Sequence, residues 1–172
     1  MKQSFLLLLV TCFFSTNIIA QANMDNAKMG VLLEEISDKL EGKSGNWQVI
    51  YGEQVLFVLT DETNNRMRIF TPIADEKDIN KEELATMLEA NFHAALDAKY
   101  ALYGGFVVSL FTHPLKELTD DQFKDAFKQV ATAANNFGTT YSSTDLIFGG
   151  GATEEAPAEK DKKINQKPRK KT

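Results

Sequence analysis

The sequence predicts an α+β domain in the order helix, three-strand antiparallel meander, helix, β-hairpin, helix. Three observations lead there: three stretches with apolar residues at helical spacing, two groups of short strand-like runs, and very short polar or glycine-rich links inside each group. Links of that length join antiparallel neighbours, because a parallel pair needs a crossover of a dozen residues or more.

The first helix is read over Asp25 to Leu40. Met29, Leu32, Leu33, Ile36 and Leu40 recur every three or four residues, with Glu34, Glu35, Asp38 and Lys39 between them. Gly42, Ser44 and Gly45 end it. Trp47 to Tyr51, Gln54 to Thr60 and Arg66 to Thr71 follow as strands. Asp61 to Asn65 is a polar loop that tolerates left-handed backbone. Pro72, lacking an N–H for the ladder, is expected to stop the third strand. A capping box then opens the second helix, Asn80 with Glu83, flanked by an Ile79–Leu84 staple. Leu84, Met87, Leu88, Phe92, Ala95 and Leu96 form its apolar stripe. Lys99 to Tyr103 and Phe106 to Phe111 read as a hairpin about Gly104-Gly105, a pair suited to positive φ. Thr119 and Gln122 repeat the capping-box spacing, with Leu118 and Phe123 as the staple. The last helix carries Phe123, Phe127, Val130, Ala131, Ala134 and Phe137 on one side and fades near Gly138. Ser143 to Phe148 fits neither period.

The flanks differ from this domain. Met1-Lys2, the apolar run from Phe5 to Phe14, and the small-residue exit Ala20-Gln21-Ala22 form a secretory signal pattern. Residues 1–22 are therefore expected to be an export signal, which makes the protein periplasmic or secreted. The domain is 23–148, and 149–172 is a charged tail without apolar periodicity, expected to be disordered. The only cysteine, Cys12, falls in the signal, so the mature chain is expected to hold neither a disulfide nor a thiolate ligand.

Charge is unevenly spread. Residues 23–150 hold 20 acidic and 11 basic side chains, whereas 151–172 hold 4 and 7. An acidic domain without a basic patch argues against nucleic-acid binding there. Lys162, Lys163, Lys167, Arg169, Lys170 and Lys171 could tether the tail weakly to an anionic membrane, at about 1 kcal/mol per basic residue. A solubilising end is the simpler alternative.

No catalytic constellation is legible. His93 and His113 are the only histidines, and Glu89, four residues before His93, is the one tidy ligand pair. That is short of a metal site. Ser142-Ser143 lies in no nucleophile elbow. Asp75, Glu76, Asp78, Glu82 and Glu83 lack calcium-loop spacing and suit the start of a helix. No metal, no cofactor and no enzymatic activity are expected.

The order and residues resemble a known family. Leu84-Ala85-Thr86-Met87-Leu88-Glu89-Ala90-Asn91-Phe92, then Ala98-Lys99-Tyr100-Ala101-Leu102, then Gly105-Phe106-Val107-Val108-Ser109-Leu110 look like the type III secretion chaperone-like fold. Pro114-Leu115, Leu118 and Phe123 complete the pattern, over about residues 28–142. The group includes Tir-type (CesT) chaperones and YbjN-type sensory regulators. The resemblance implies a small acidic dimer that holds an extended segment of another protein and has no enzymatic activity. The export signal departs from the family pattern, whose chaperones are cytosolic.

Val55 to Leu59 and Phe106 to Phe111 are apolar on both faces, so something must cover the second face of the sheet. The helices could divide between the two faces; otherwise a second copy or a partner polypeptide takes one. Leu56, Val58, Phe70, Val107 and Phe111 on strands, with Leu88, Asn91 and Phe92 on the second helix, are the residues expected at such a dimer or partner contact. Asn91 could equally bond to backbone at the edge of its stripe. The function expected is an exported, non-catalytic, homodimeric protein-binding module, chaperone-like in holding a partner. A YbjN-type regulatory accessory protein is the alternative, and an enzyme of unknown type the third reading.

Overall fold

The computed structural model describes residues 23–146. The expected signal 1–22, Ile147, Phe148 and the tail with its lysines and Arg169 lie outside the described residues. The elements run α1 (Asn26–Ile36), β1 (Lys39–Lys43), β2 (Asn46–Tyr51), β3 (Gln54–Asp61), β4 (Arg66–Asp75), a 3-10 turn at Glu76–Asp78, α2 (Lys81–His93), β5 (Lys99–Tyr103), β6 (Phe106–His113) and α3 (Asp120–Asn135). All neighbouring strands are antiparallel, in the order β1-β2-β3-β4-β6-β5.

The meander has four strands where the sequence suggested three. α1 stops at Ile36, and Ser37 leaves the helix with φ −98° and ψ 147°. Leu40 therefore belongs to β1, not to the helical stripe. Gly42 has φ +103°, and a Cβ there would stand 2.4 Å from the Asn46 carbonyl oxygen, so the tight β1–β2 hairpin needs glycine. Pro72 does not end β4, which runs on to Asp75. The β3–β4 ladder is complete by the Phe57–Phe70 pair, and the register with β6 shifts between Pro72 and Ala74. Thr71 Oγ1 donates to the Val55 carbonyl at 2.9 Å, beside the point where proline has no N–H to give.

Both capping boxes form: Asn80 with Glu83, and Thr119 with Gln122, each exchanging side-chain and backbone hydrogen bonds. Asp25 caps α1 through the backbone N–H of Lys28. Asn65 ends the β3–β4 loop at φ +53°. Its side chain accepts from Lys116 N and donates to Glu117, tying that loop to the entry of α3. This amide holds the Glu117 carboxyl below its usual range.

The helices do not divide between the two faces. One buried cluster joins Met29 and Leu33 of α1, Met87 and Ala90 of α2 and Phe123, Phe127 and Val130 of α3 to one sheet face. That face carries Trp47, Val49, Leu56, Val58, Met67, Ile69, Val107 and Phe111. Met24 joins the core too, and its N–H bonds to the Lys116 carbonyl. Residues after α3 fold back, with Tyr141 and Phe137 ringed about Tyr100. Burial, with Tyr141 close by, raises the Tyr100 phenol above its usual range and keeps it a donor to the Ala133 carbonyl at 2.7 Å.

Ser109 is the odd residue of this core. It is fully buried, pairs in register with Thr71 and Tyr100, and its hydroxyl has no hydrogen-bond partner. A buried unpaired hydroxyl costs about 1–3 kcal/mol, while alanine loses only the oxygen. Ser109→Ala is expected to raise stability by about 1 kcal/mol. Chemical denaturation checks it, and a loss of stability would show that the hydroxyl is satisfied.

Candidate functional site

The register fixes the opposite face residue by residue. Ile50 faces Val55, Gln48 faces Phe57, Phe57 faces Phe70, Phe70 faces Leu110, and Val108 faces Ala101. None of these belongs to the cluster that the helices bury against the sheet, although Val108 is itself covered by its neighbours. The rings form a ladder across the strands: Phe57 stacks on Phe70 at 5.2 Å, and Phe70 meets Tyr103 edge-on at 5.7 Å. Tyr103 is 65% exposed, and Val55 and Phe106 are exposed as well. A hollow of about 300 Å³ opens on this face between Leu59, Arg68, Phe70, Leu102, Tyr103 and Val108. The geometry is that of a shallow apolar binding surface on a rigid sheet.

A second apolar patch lies on α2. Leu88 and Phe92, one turn apart, are 71% and 70% exposed. The helix buries Met87 and Ala90 instead, with Leu84 half-buried beside them. The expected stripe mixed two faces: apolar residues at 84, 87 and 90 face the core, while 88 and 92 face away.

The expected contact residues thus separate into three sets. Phe70, Leu88 and Phe92 are available at the surface. Leu56, Val58, Val107 and Phe111 are not: they lie beneath the helices and are buried against them. The strands alternate by one residue, so the accessible partners of those positions are Val55, Phe57, Leu59 and Leu110. Asn91 serves the fold. Its Oδ1 accepts from Tyr100 N at 2.7 Å and its Nδ2 donates to the Tyr100 carbonyl at 3.1 Å, capping the outer edge of β5. Lys99 Nζ adds a bond to the Asn91 carbonyl at 2.7 Å and contacts that of Leu96. The other edge, β1, carries Lys39, Glu41 and Lys43, charges that discourage a further strand.

The polar groups singled out from the sequence are engaged in structure. Ser143 is buried, its hydroxyl donating to the Ala95 carbonyl at 2.8 Å. His113 Nδ1 lies 2.7 Å from the Pro114 carbonyl and so carries the proton, and the ring stacks on Phe111. His93 packs edge-on against Phe92. Among the described residues no three His, Cys, Asp or Glu side chains cluster as a metal site would need, and no helix is long and apolar enough to cross a membrane.

No protein-family model matches the chain, and no curated protein sequence matches it. Solved structures do share the fold. In the HopA1–SchA chaperone–effector complex the matching chain superposes with a TM-score of 0.51 at 16% identity, covering 65% of this chain and 94% of that one. The ExsC–ExsE complex matches with a TM-score of 0.50 at 16% identity, covering 64% and 92%. The Yersinia pestis type III secretion chaperone SycH, with a stable fragment of YscM2, gives 0.48 at 13%, covering 63% and 98%. At these identities the likeness is one of fold, and the chain carries the α+β fold of the type III secretion chaperones.

Proposed function

We propose that the protein is an exported, non-catalytic protein-binding module that holds a partner polypeptide on the open sheet face and dimerises through the outer face of α2. The carrying observation is the aromatic ladder Phe57–Phe70–Tyr103 on a sheet whose helices all lie on the other side. Complexed chaperones among the fold neighbours support a partner-holding role. Leu88 and Phe92 are the apolar pair that a second copy would bury, separate from the sheet and therefore compatible with simultaneous partner binding. The secretory pattern at residues 1–22 supports export, with the partner met in the periplasm or outside the cell.

Two surface variants test both halves. Val55→Ser/Tyr103→Ser removes exposed apolar groups from the open face, each burying about 1–2 kcal/mol in a complex. At least about tenfold more protein should then be needed to keep a chemically unfolded client soluble. Leu88→Glu/Phe92→Glu should leave that protection in place while halving the mass measured by light scattering. Unchanged protection in the first variant would remove the sheet as the holding surface. A wild-type monomer at every concentration would remove the dimer.

A further inference from the structure

The charges of the open face differ in sign from those of the rest of the domain. Strand register places Lys39, Lys43, Arg66 and Arg68 on it, against Glu41, Asp61 and Asp75, while Lys99 turns its ammonium to the Asn91 and Leu96 carbonyls. Four of the 11 basic residues of the domain thus share one face with only three of its 20 acidic ones. Two of these carboxylates already have cations: Glu41 pairs with Lys39 and Asp75 with Lys77. Asp61 accepts both bonds of Asn64, which hold its carboxyl below the usual range. Arg68 forms no ion pair or hydrogen bond among the described residues, is exposed, and is the one charged residue lining the hollow beside Phe70.

We propose that this face selects acidic partners: an extended segment whose bulky apolar side chain enters the hollow while a carboxylate two residues away meets Arg68. This rests on the protein-binding reading and names the chemistry of its partner. Arg68 and Phe70 are themselves two residues apart on one side of β4, about 7 Å along the strand. An extended segment lying along β4 presents its own alternate side chains at that same repeat. A volume of about 300 Å³ admits one large aliphatic or aromatic side chain. The surroundings sharpen the choice, because 17 of the 20 acidic side chains of the domain lie off this face and their field disfavours an acidic chain there.

The test uses the full chain from Asn23 and two nine-residue, rhodamine-labelled peptides. Both alternate threonine with phenylalanine and glutamate, and in one every glutamate is replaced by lysine. Fluorescence anisotropy should show the acidic peptide binding about tenfold tighter, a preference that shrinks as salt rises. Arg68→Glu, at an exposed position, should weaken the acidic peptide about fivefold or more and strengthen the lysine peptide. Equal affinities for the two peptides would overturn the selectivity, and an unchanged preference in Arg68→Glu would overturn the role of Arg68. If neither peptide binds, the proposal falls. A mass that rises with concentration and drops in Arg68→Glu would seat a second copy on this face and also overturn it. Client protection that survives Arg68→Glu and fails in Val55→Ser/Tyr103→Ser would leave the holding role standing without the acidic preference.

Discussion

Phe127→Ala is expected to lose about 3–5 kcal/mol, the range for emptying a buried phenylalanine site. The residue is 1% exposed on α3, with its ring 5.2 Å from that of Tyr51 and 5.9 Å from that of Phe123. Tyr51 lies at the end of β2, so the pair joins the helix to the sheet. The backbone of a six-stranded sheet relaxes little, and the cavity would persist. For a domain with a total stability of about 5–15 kcal/mol, the thermal midpoint should fall by more than about 10 °C. Phe92→Ala is the matched control. It removes the same ring from another helix at a position that is 70% exposed, and at a dilution where two copies are apart it should change stability by less than about 0.5 kcal/mol. Calorimetry on both variants checks the pair. Equal losses would mean that Phe92 is covered in solution at the concentration used, which dilution would reveal.

That contrast shows what the sequence could and could not disclose. Phe92 and Phe127 both sit at helical spacing among apolar neighbours, and spacing alone cannot tell a core stripe from one that meets another molecule. The amphipathic α3 was legible because Lys124, Asp125 and Lys128 mark its wet side. In α2, Leu88 and Phe92 lie between two polar flanks and broadened the stripe. The capping boxes were legible because their chemistry is local: Asn80 with Glu83, and Thr119 with Gln122, need nothing from the rest of the chain. β1 was not. Lys39-Leu40-Glu41-Gly42-Lys43 has one apolar side chain and four exposed residues, so no period marks it, and Leu40 happens to continue the spacing of α1. Pro72 misled for a related reason, since its effect depends on whether a neighbour needs that N–H. The two-sided apolar strands did disclose an unpartnered face. Which residues lie on it depends on register, and a shift of one residue exchanges Leu56 and Val58 for Val55, Phe57 and Leu59. The cationic character of that face needs the pairing of strands far apart in sequence, so composition, which reports only an acidic domain, conceals it.

Gln129 is the second position where a large loss is expected, for polar reasons. Its side chain is 3% exposed within the core face of α3. Oε1 accepts from the backbone N–H groups of Asp97 and Ala98 at 3.2 and 3.3 Å, and the Ser143 hydroxyl, which donates to the Ala95 carbonyl, lies 3.3 Å away. Nε2 donates to Asp125 at 2.7 Å. One amide thus satisfies the chain where α2 passes into β5 and fastens the returning segment after α3. Gln129→Leu keeps much of the volume and leaves two backbone donors unpaired, at about 1–3 kcal/mol each, so a total loss of about 2–6 kcal/mol is expected. Gln129→Glu separates polarity from charge. The acceptor oxygens remain, but an ionised carboxylate would be buried beside Asp97 and Asp125, so its folded-state pKa must rise above the unfolded value. A group raised in this way stabilises the fold only while protonated, so the Gln129→Glu deficit should be large at pH 7 and shrink as pH falls toward the ordinary glutamate range. Denaturation from pH 7 to pH 5, relative to the native protein, measures that slope. A deficit independent of pH would mean that water reaches the site, and exchange of the Ala98 amide in Gln129→Leu as slow as in the native protein would show that Gln129 is not its partner.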